Sequence, residues 1–217
     1  MDCSITNWIT TNQAIIGFIG AIASVIGVII CILQLNKYKA NKMLGKLFEE
    51  YDYKFRPIHS IEELLDKALT EIELISKTDY NQIILSLTEK YSAHLHVVAD
   101  AIPANKQRYE IVANAGLIGE AYNTGDTILV NDISKIKDYF NAVSETKSEI
   151  CVPIKFDNLT IGVINSESES IDHFSEDLRN SFEGIATALA KNLLKLGWKK
   201  KAVNNGLVRL KRVPLNK

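Results

Sequence analysis

Residues 14–35 read AIIGFIGAIASVIGVIICILQL: 22 residues with no charge, and only Ser24 and Gln34 as clearly polar side chains. As a helix rising about 1.5 Å per residue, the run covers about 33 Å, enough for a bilayer core of about 30 Å. Core helices of soluble proteins are seldom uncharged over this length. A cleaved leader fits poorly, because no Lys or Arg precedes the run and the run exceeds the usual apolar core of such peptides. The expectation is a transmembrane helix over 14–35. Asp2 is the only charge before it, whereas Lys37, Lys39, Lys42 and Lys46 follow directly. Positive residues stay on the cytoplasmic side, which places residues 1–13 outside and everything after the span inside, in a plasma (bacterial inner) membrane. Gly17, Gly20, Ala21, Ser24 and Gly27 fall on one helical stripe, where small residues allow two helices to approach closely. That is a homodimer seam, or the ordinary abundance of small residues in such spans.

The chain has 217 residues and a formal charge of −1. Nine Lys and Arg lie after Glu183 with no acidic residue among them, so the residues before Lys191 carry a net −10. Such a tail can touch anionic lipid or nucleic acid, or simply stay solvated. No nucleic-acid partner is expected. Cys3, Cys31 and Cys151 are dispersed, with no CxxC pair and no even count for a disulfide framework.

Residues 36–59 read as a basic juxtamembrane linker. From Ser60 the pattern turns helical, with Ile61, Leu64, Leu65, Ala68, Leu69, Ile72 and Ile75 at steps of three and four, and Ser60 with Glu63 as a capping box. The helix is expected to break near Thr78-Asp79 and resume through Ile83, Ile84, Leu87 and Tyr91. Strand-like runs follow at 94–99, 109–113, 127–130, 149–156 and 159–165, the last two flanking the turn Asp157-Asn158. A final helix opens at Ser175 and lines up Leu178, Phe182, Ile185, Leu189 and Leu193. Helices on one face of a mainly antiparallel sheet make an α+β domain over 60–194, with a basic tail at 195–217.

An ordered set of short motifs runs through this domain. It comprises Gly116-Leu-Ile-Gly119-Glu-Ala-Tyr-Asn-Thr-Gly125, Val130-Asn131-Asp132, Ser148-Glu149-Ile-Cys-Val-Pro153-Ile, Ile161-Gly162-Val163-Ile164 with Glu167-Ser168, and Phe174-Ser-Glu-Asp177. With these, residues 60 to about 194 resemble a GAF domain, the small-molecule sensor module of signalling proteins. The glycines of 116–125 are neither a Walker loop, which needs a following Gly-Lys-Ser/Thr, nor a Rossmann fingerprint. They shape the entry and exit of a short helix that roofs one sheet face.

The resemblance implies a ligand pocket lined from the crossover 116–148 and the central strands. Asn131, Asp132, Tyr139, Phe140, Ser148 and Glu149 are the candidate ligand-binding residues. Aromatic rings stack on planar ligands, and carboxylates accept from ligand N–H groups. Asp132, Ser148 and Glu149 have an alternative role, since such side chains also cap turns and pin loops. The cyclic-nucleotide signature of some family members lacks its Lys here. No Cys-His dipeptide marks a bilin site, and no context favours any of His59, His94, His96 and His173 as a haem ligand. His94 and His96 share a strand face, but no third metal ligand is evident. The cofactor is therefore unknown, no metal is assigned and no catalytic residue is named.

The resulting expectation is a membrane-anchored cytosolic small-molecule sensor acting in signalling, not an enzyme, whose partners are the bilayer, a small ligand and a second copy of itself. One alternative is a membrane effector of a nucleotide-triggered phage-defence system. Another is a methionine sulfoxide reductase-like enzyme of the same fold. That enzyme family uses several cysteines; here Ile118 stands where its glycine segment has one, residues 134–148 contain none, and Cys151 alone cannot cycle through a disulfide. A structural anchor with a vestigial pocket is the third.

Overall fold

The computed structural model describes residues 3–78, 80–86, 94–102, 111–112, 116–137, 139, 145–198 and 210–212. The chain divides into two compact units, Met1–Met43 and Leu44–Lys217. One helix, α1 (Cys3–Phe55), supplies the first unit and enters the second. From Ala21 onward it contains an 18-residue window long and apolar enough to cross a membrane, with a mean hydropathy of 1.7 and none of the window buried. Val25, Ile29 and Leu33 are accordingly exposed. Residues 36–55, expected as a linker, continue the helix. No Pro or Gly pair interrupts them before Pro57, and the apolar positions Leu47, Tyr51 and Phe55 recur every fourth residue.

The second unit is a sheet with helices on both faces. The elements run α2 (Ile61–Ser76), β1 (Tyr80–Ser86), β2 (His94–Ala101), β3 (Ile111–Val112), α3 (Gly116–Thr124), β4 (Ile128–Val130), a 3-10 turn (Ile133–Lys135), β5 (Ser148–Phe156), β6 (Leu159–Ser168), α4 (Glu176–Lys195) and β7 (Leu210–Arg212). The strand order is β3-β2-β1-β6-β5-β4, antiparallel throughout, and β7 adds parallel to β2.

Helix α2 starts where Ser60 accepts from the Glu63 amide at 3.0 Å, and it ends at Lys77 in the left-handed conformation. The helix expected to resume after Thr78 is instead strand β1. Its residues are buried all along, because both faces are covered. An apolar run covered on both sides shows no period by which to separate strand from helix. The turn at Asp157-Asn158 is present, with Asp157 at φ 51°. Ser175 caps α4 through the Leu178 amide at 3.3 Å.

Period-two alternation divides the strands between two layers. Ile83, Leu85, Ile150, Val152, Ile154 and Ile164 join α2, α4 and the end of α1 in the main core. Ile84, Cys151 and Val163 point the other way and pack with Leu117, Ile118 and Ala121 of α3. Two helices and the end of α1 thus cover one face, and α3 lies on the opposite one. Gly162 sits where β6 crosses β1, and a Cβ there would meet the Ile84 carbonyl oxygen at 2.2 Å.

The last turns of α1 are fastened to the domain by a buried carboxylate. Asp52, 2% exposed, accepts from Arg56 Nη2 at 2.7 Å, Lys191 Nζ at 2.8 Å and Asn192 Nδ2 at 3.0 Å. Burial opposes its charge, yet these three donors outweigh it and hold the carboxyl at a pKa of about 2. Lys54 reaches Glu71 of α2 at 2.9 Å, and Lys195 donates to the Arg56 carbonyl at 2.7 Å.

Gly162→Ala has no room to relax against a backbone oxygen and should cost about 3 kcal/mol, read as a lowered urea midpoint. Asp52→Asn should cost about 2 kcal/mol at neutral pH. Because the folded pKa lies below the ordinary 3.8, the stabilisation is complete above that value and fades as pH falls toward 2. The melting temperatures of wild type and variant should therefore converge in acid, and a gap unchanged by pH would contradict the assignment.

Candidate functional site

The α3 face of the sheet changes character along the strands. Beneath α3 it is apolar, with Ile84, Leu95 and Val163 packed against Leu117 and Ile118. Toward the ends of β5 and β6 it becomes polar and remains buried. Glu149 pairs in register with Glu167, and Cys151 with Asn165, which in turn pairs with Gln82 of β1 and Gln82 with Asp100 of β2. Residues paired in register share a face. Gln82, Asn165 and Cys151 are at most 1% exposed, and Glu149 is 4% exposed.

Hydrogen bonds join these groups. Tyr139, half-buried, donates its hydroxyl to Glu149 Oε2. The Cys151 thiol lies 3.2 Å from Glu149 Oε1 and 3.4 Å from Asn165 Oδ1, and Asn165 Nδ2 donates to Glu167 Oε1 at 3.2 Å. Thr146 donates to the other oxygen of Glu167. Among the described residues Glu149 receives only neutral donors. Burial pushes its carboxyl above the usual range, and the bonds from Tyr139 and Cys151 do not compensate. Burial, then the charge of Glu149, drives the Cys151 thiol well up and the Tyr139 phenol up as well, so neither is an activated nucleophile. Among the described residues no group of His, Cys, Asp and Glu is arranged to hold a metal ion.

The sequence-selected residues divide. Tyr139 and Glu149 meet in this network. Asp132 caps the 3-10 turn, accepting from Ser134 N at 3.2 Å and Ser134 Oγ at 2.6 Å, and pairs with Lys135 at 3.1 Å. Asn131 follows β4; its carbonyl accepts from Asp172 N at 2.9 Å, and its buried Oδ1 has no partner among the described residues. The Ser148 hydroxyl donates to the Ser170 carbonyl at 2.7 Å, pinning the segment after β6. Phe140 lies outside the described residues. Gln82, Asn165 and Glu167 escaped sequence reasoning. Glu167 stood inside a quoted motif, and Gln82 lay in a stretch read as helix.

Two cavities lined by described residues lie elsewhere. One, of 310 Å³, is lined by Val152, Lys155, Arg179 and Glu183 among others. The other, of 530 Å³, lies between Tyr53, Lys54, Arg56, Pro57 and Lys67. The cations of the second are paired with Glu50, Asp52 and Glu71.

A family profile described as a GAF domain matches residues 58–193. The chain belongs to the GAF domain family. Among solved structures, the free methionine-R-sulfoxide reductase from Neisseria meningitidis, in complex with its substrate, is similar at 21% identity. That match covers 74% of this chain and 92% of the other, with a TM-score of 0.60. The GAF domain of a phosphoenolpyruvate-protein phosphotransferase from Coxiella burnetii aligns at 16% identity over 74% and 98%, with a TM-score of 0.61. The corresponding Acinetobacter domain aligns at 16% over 70% and 93%, with a TM-score of 0.59. These identities establish the shared fold. No curated protein matches the chain in sequence. The GAF fold thus combines here with an apolar N-terminal helix and a buried acidic network on its α3 face.

The fold resists ionising Glu149, so its charge subtracts stability as pH rises from the ordinary carboxylate value through the raised one. Glu149→Gln keeps the acceptor for Tyr139 and removes the charge. It should raise the melting temperature at neutral pH and flatten the pH dependence above about pH 4.5. A lower melting temperature at neutral pH would show that the carboxylate is compensated.

Proposed function

We propose that the protein is a membrane-anchored small-molecule sensor whose ligand seats on the α3 face of the GAF domain, against Glu149 and its neighbours. The carrying observation is the buried Glu149 carboxyl, held among the described residues by neutral donors alone, on a face covered by a short helix. Buried charges ordinarily carry a paired opposite charge, and here a ligand completes the pair. Helix α3 serves as the lid. It has nine residues and is flanked by Gly116 at φ 61° and Gly125 at φ 72°, two left-handed joints that other residues adopt at a cost. The apolar N-terminal helix supports anchoring. The lysines after it support a cytosolic domain, and the small-residue stripe supports a homodimer.

The reading is non-enzymatic. Related structures include reductases of free methionine-R-sulfoxide, but the Cys151 thiol here is buried and held protonated. Transmission then runs through α1, whose last turns Asp52 holds to α4, and a ligand shifts this system by binding one arrangement better than the other.

The test is a thermal-shift screen of the full chain in detergent micelles against nucleotides and small metabolites, free methionine sulfoxide included. One compound should raise the melting temperature, with about 2.7 kcal/mol of stabilisation at a hundredfold excess over Kd. The shift should disappear in Glu149→Gln and persist in Cys151→Ser, and no methionine should form from the sulfoxide. A folded chain that responds to nothing, or turnover that depends on Cys151, would overturn the proposal.

A further inference from the structure

The ligand's chemistry can be narrowed from a second, independent feature of the same face. Gln82 of β1 is 1% exposed, and its amide Nε2 is buried with no hydrogen-bond partner among the described residues. An amide donor left unpaired in a folded interior keeps its desolvation cost without a compensating bond, so such a group calls for an acceptor from outside the chain. Its register partner is Asn165, itself paired with Cys151, and Glu149 lies two residues along β5 from Cys151 on the same face. Gln82 and Glu149 therefore lie two strands apart and one residue pair off the same row, about 12 Å between their backbones, and their long side chains can reach one compact molecule from opposite sides. Next to this row the face is apolar, with Ile84 adjoining Gln82 and Val163 adjoining Asn165.

We infer that the ligand is a small monocation, an amine bearing a neutral hydrogen-bond acceptor and an apolar body, with its ammonium on Glu149 and its acceptor on the amide of Gln82. The inference rests on the sensor reading above and specifies what that site takes. Each part has its own ground. The ammonium answers a buried carboxylate that, among the described residues, accepts hydrogen bonds only from Tyr139 and Cys151. The acceptor answers the unpaired Nε2. The acceptor is neutral because a ligand carboxylate would meet Glu149, with no Lys, Arg or His paired to Glu149 among the described residues to offset the repulsion. The apolar body replaces contacts that α3 makes through Leu117 and Ile118.

Four probes of one shape separate these requirements, each titrated against the full chain in micelles by thermal shift and calorimetry. L-Leucinamide carries ammonium and neutral carbonyl, isopentylamine the ammonium alone, 4-methylpentanamide the carbonyl alone, and L-leucine ammonium with carboxylate. L-Leucinamide should bind most tightly, isopentylamine about tenfold more weakly, and the other two not measurably. Gln82→Leu should reduce L-leucinamide to the isopentylamine level and leave isopentylamine unchanged, while Glu149→Gln should abolish both. Replacing an unpaired buried amide by an apolar side chain of similar size preserves folding, and Gln82→Met is a second variant with the same expected result. The assignment is overturned if L-leucine or 4-methylpentanamide matches L-leucinamide, if no probe binds, or if Gln82→Leu and Gln82→Met bind L-leucinamide as wild type does. A neutral or anionic hit in the broader metabolite screen overturns this inference alone, whereas a broader screen without any hit removes the sensor reading as well.

Discussion

Burial of the central strands on both faces is the constraint from which the rest of this structure follows. β1, β5 and β6 lie between α2 and α4 on one side and α3 on the other, so each successive side chain enters a different layer. Apolar side chains fill most of the first layer, and its buried polar pair, Asn81 and Ser166, is joined by a hydrogen bond of 2.8 Å. A side chain at Gly162 would collide with the Ile84 carbonyl, so glycine there permits the close pairing of β6 with β1. Once register is set, the positions of Gln82, Asn165, Cys151 and Glu149 on one face are fixed, because a slip of one residue would send all four to the other side.

The second layer is then unusual in what it buries. A face shut off from water ordinarily carries apolar residues or compensated polar ones. Here the carboxyls of Glu149 and Glu167, a thiol and two side-chain amides are packed together, and among the described residues the Gln82 amide nitrogen has no partner and Glu149 no cation. Stability alone does not favour this arrangement. Interior polar groups that a fold leaves partly unsatisfied mark places where binding supplies the missing partner. The opposite junction behaves differently: Asp52 is buried too, but Arg56, Lys191 and Asn192 complete its hydrogen bonding, and the result is a rigid joint between α1 and α4. Asp52 and Glu149, both buried in one domain, thus differ by whether a cation among the described residues reaches them.

Much of the fold was legible in the residues. The apolar run at 14–35, the Ser60 and Ser175 caps, the Asp157-Asn158 turn and the glycine-bounded helix at 116–124 each carry a local signal that survives without neighbours. Strand β1 did not, because Tyr80–Ser86 is buried throughout and has no alternation to read. Residues 36–55 looked like a linker because of their many charges, four Lys followed by an acidic cluster, and the apolar side at Leu47, Tyr51 and Phe55 becomes apparent only when α4 lies against it. Within the site, the quoted motif at 148–154 led to Glu149. Gln82 has no motif and acquires its place from strand pairing.

The sequence by itself determined the local elements, the charge that follows the apolar helix and the family, because caps, turns, periodicity and short motifs act over a few neighbouring residues. Only the tertiary structure decided that α3 takes the face opposite α2 and α4, that Glu149 is buried with no cation among the described residues, and that Gln82 shares its face from a strand more than sixty residues away in the chain. The physical reason is that burial and pairing are properties of the assembled sheet. A carboxylate or amide carries no mark in the sequence of whether its partner will be water, another side chain or a ligand.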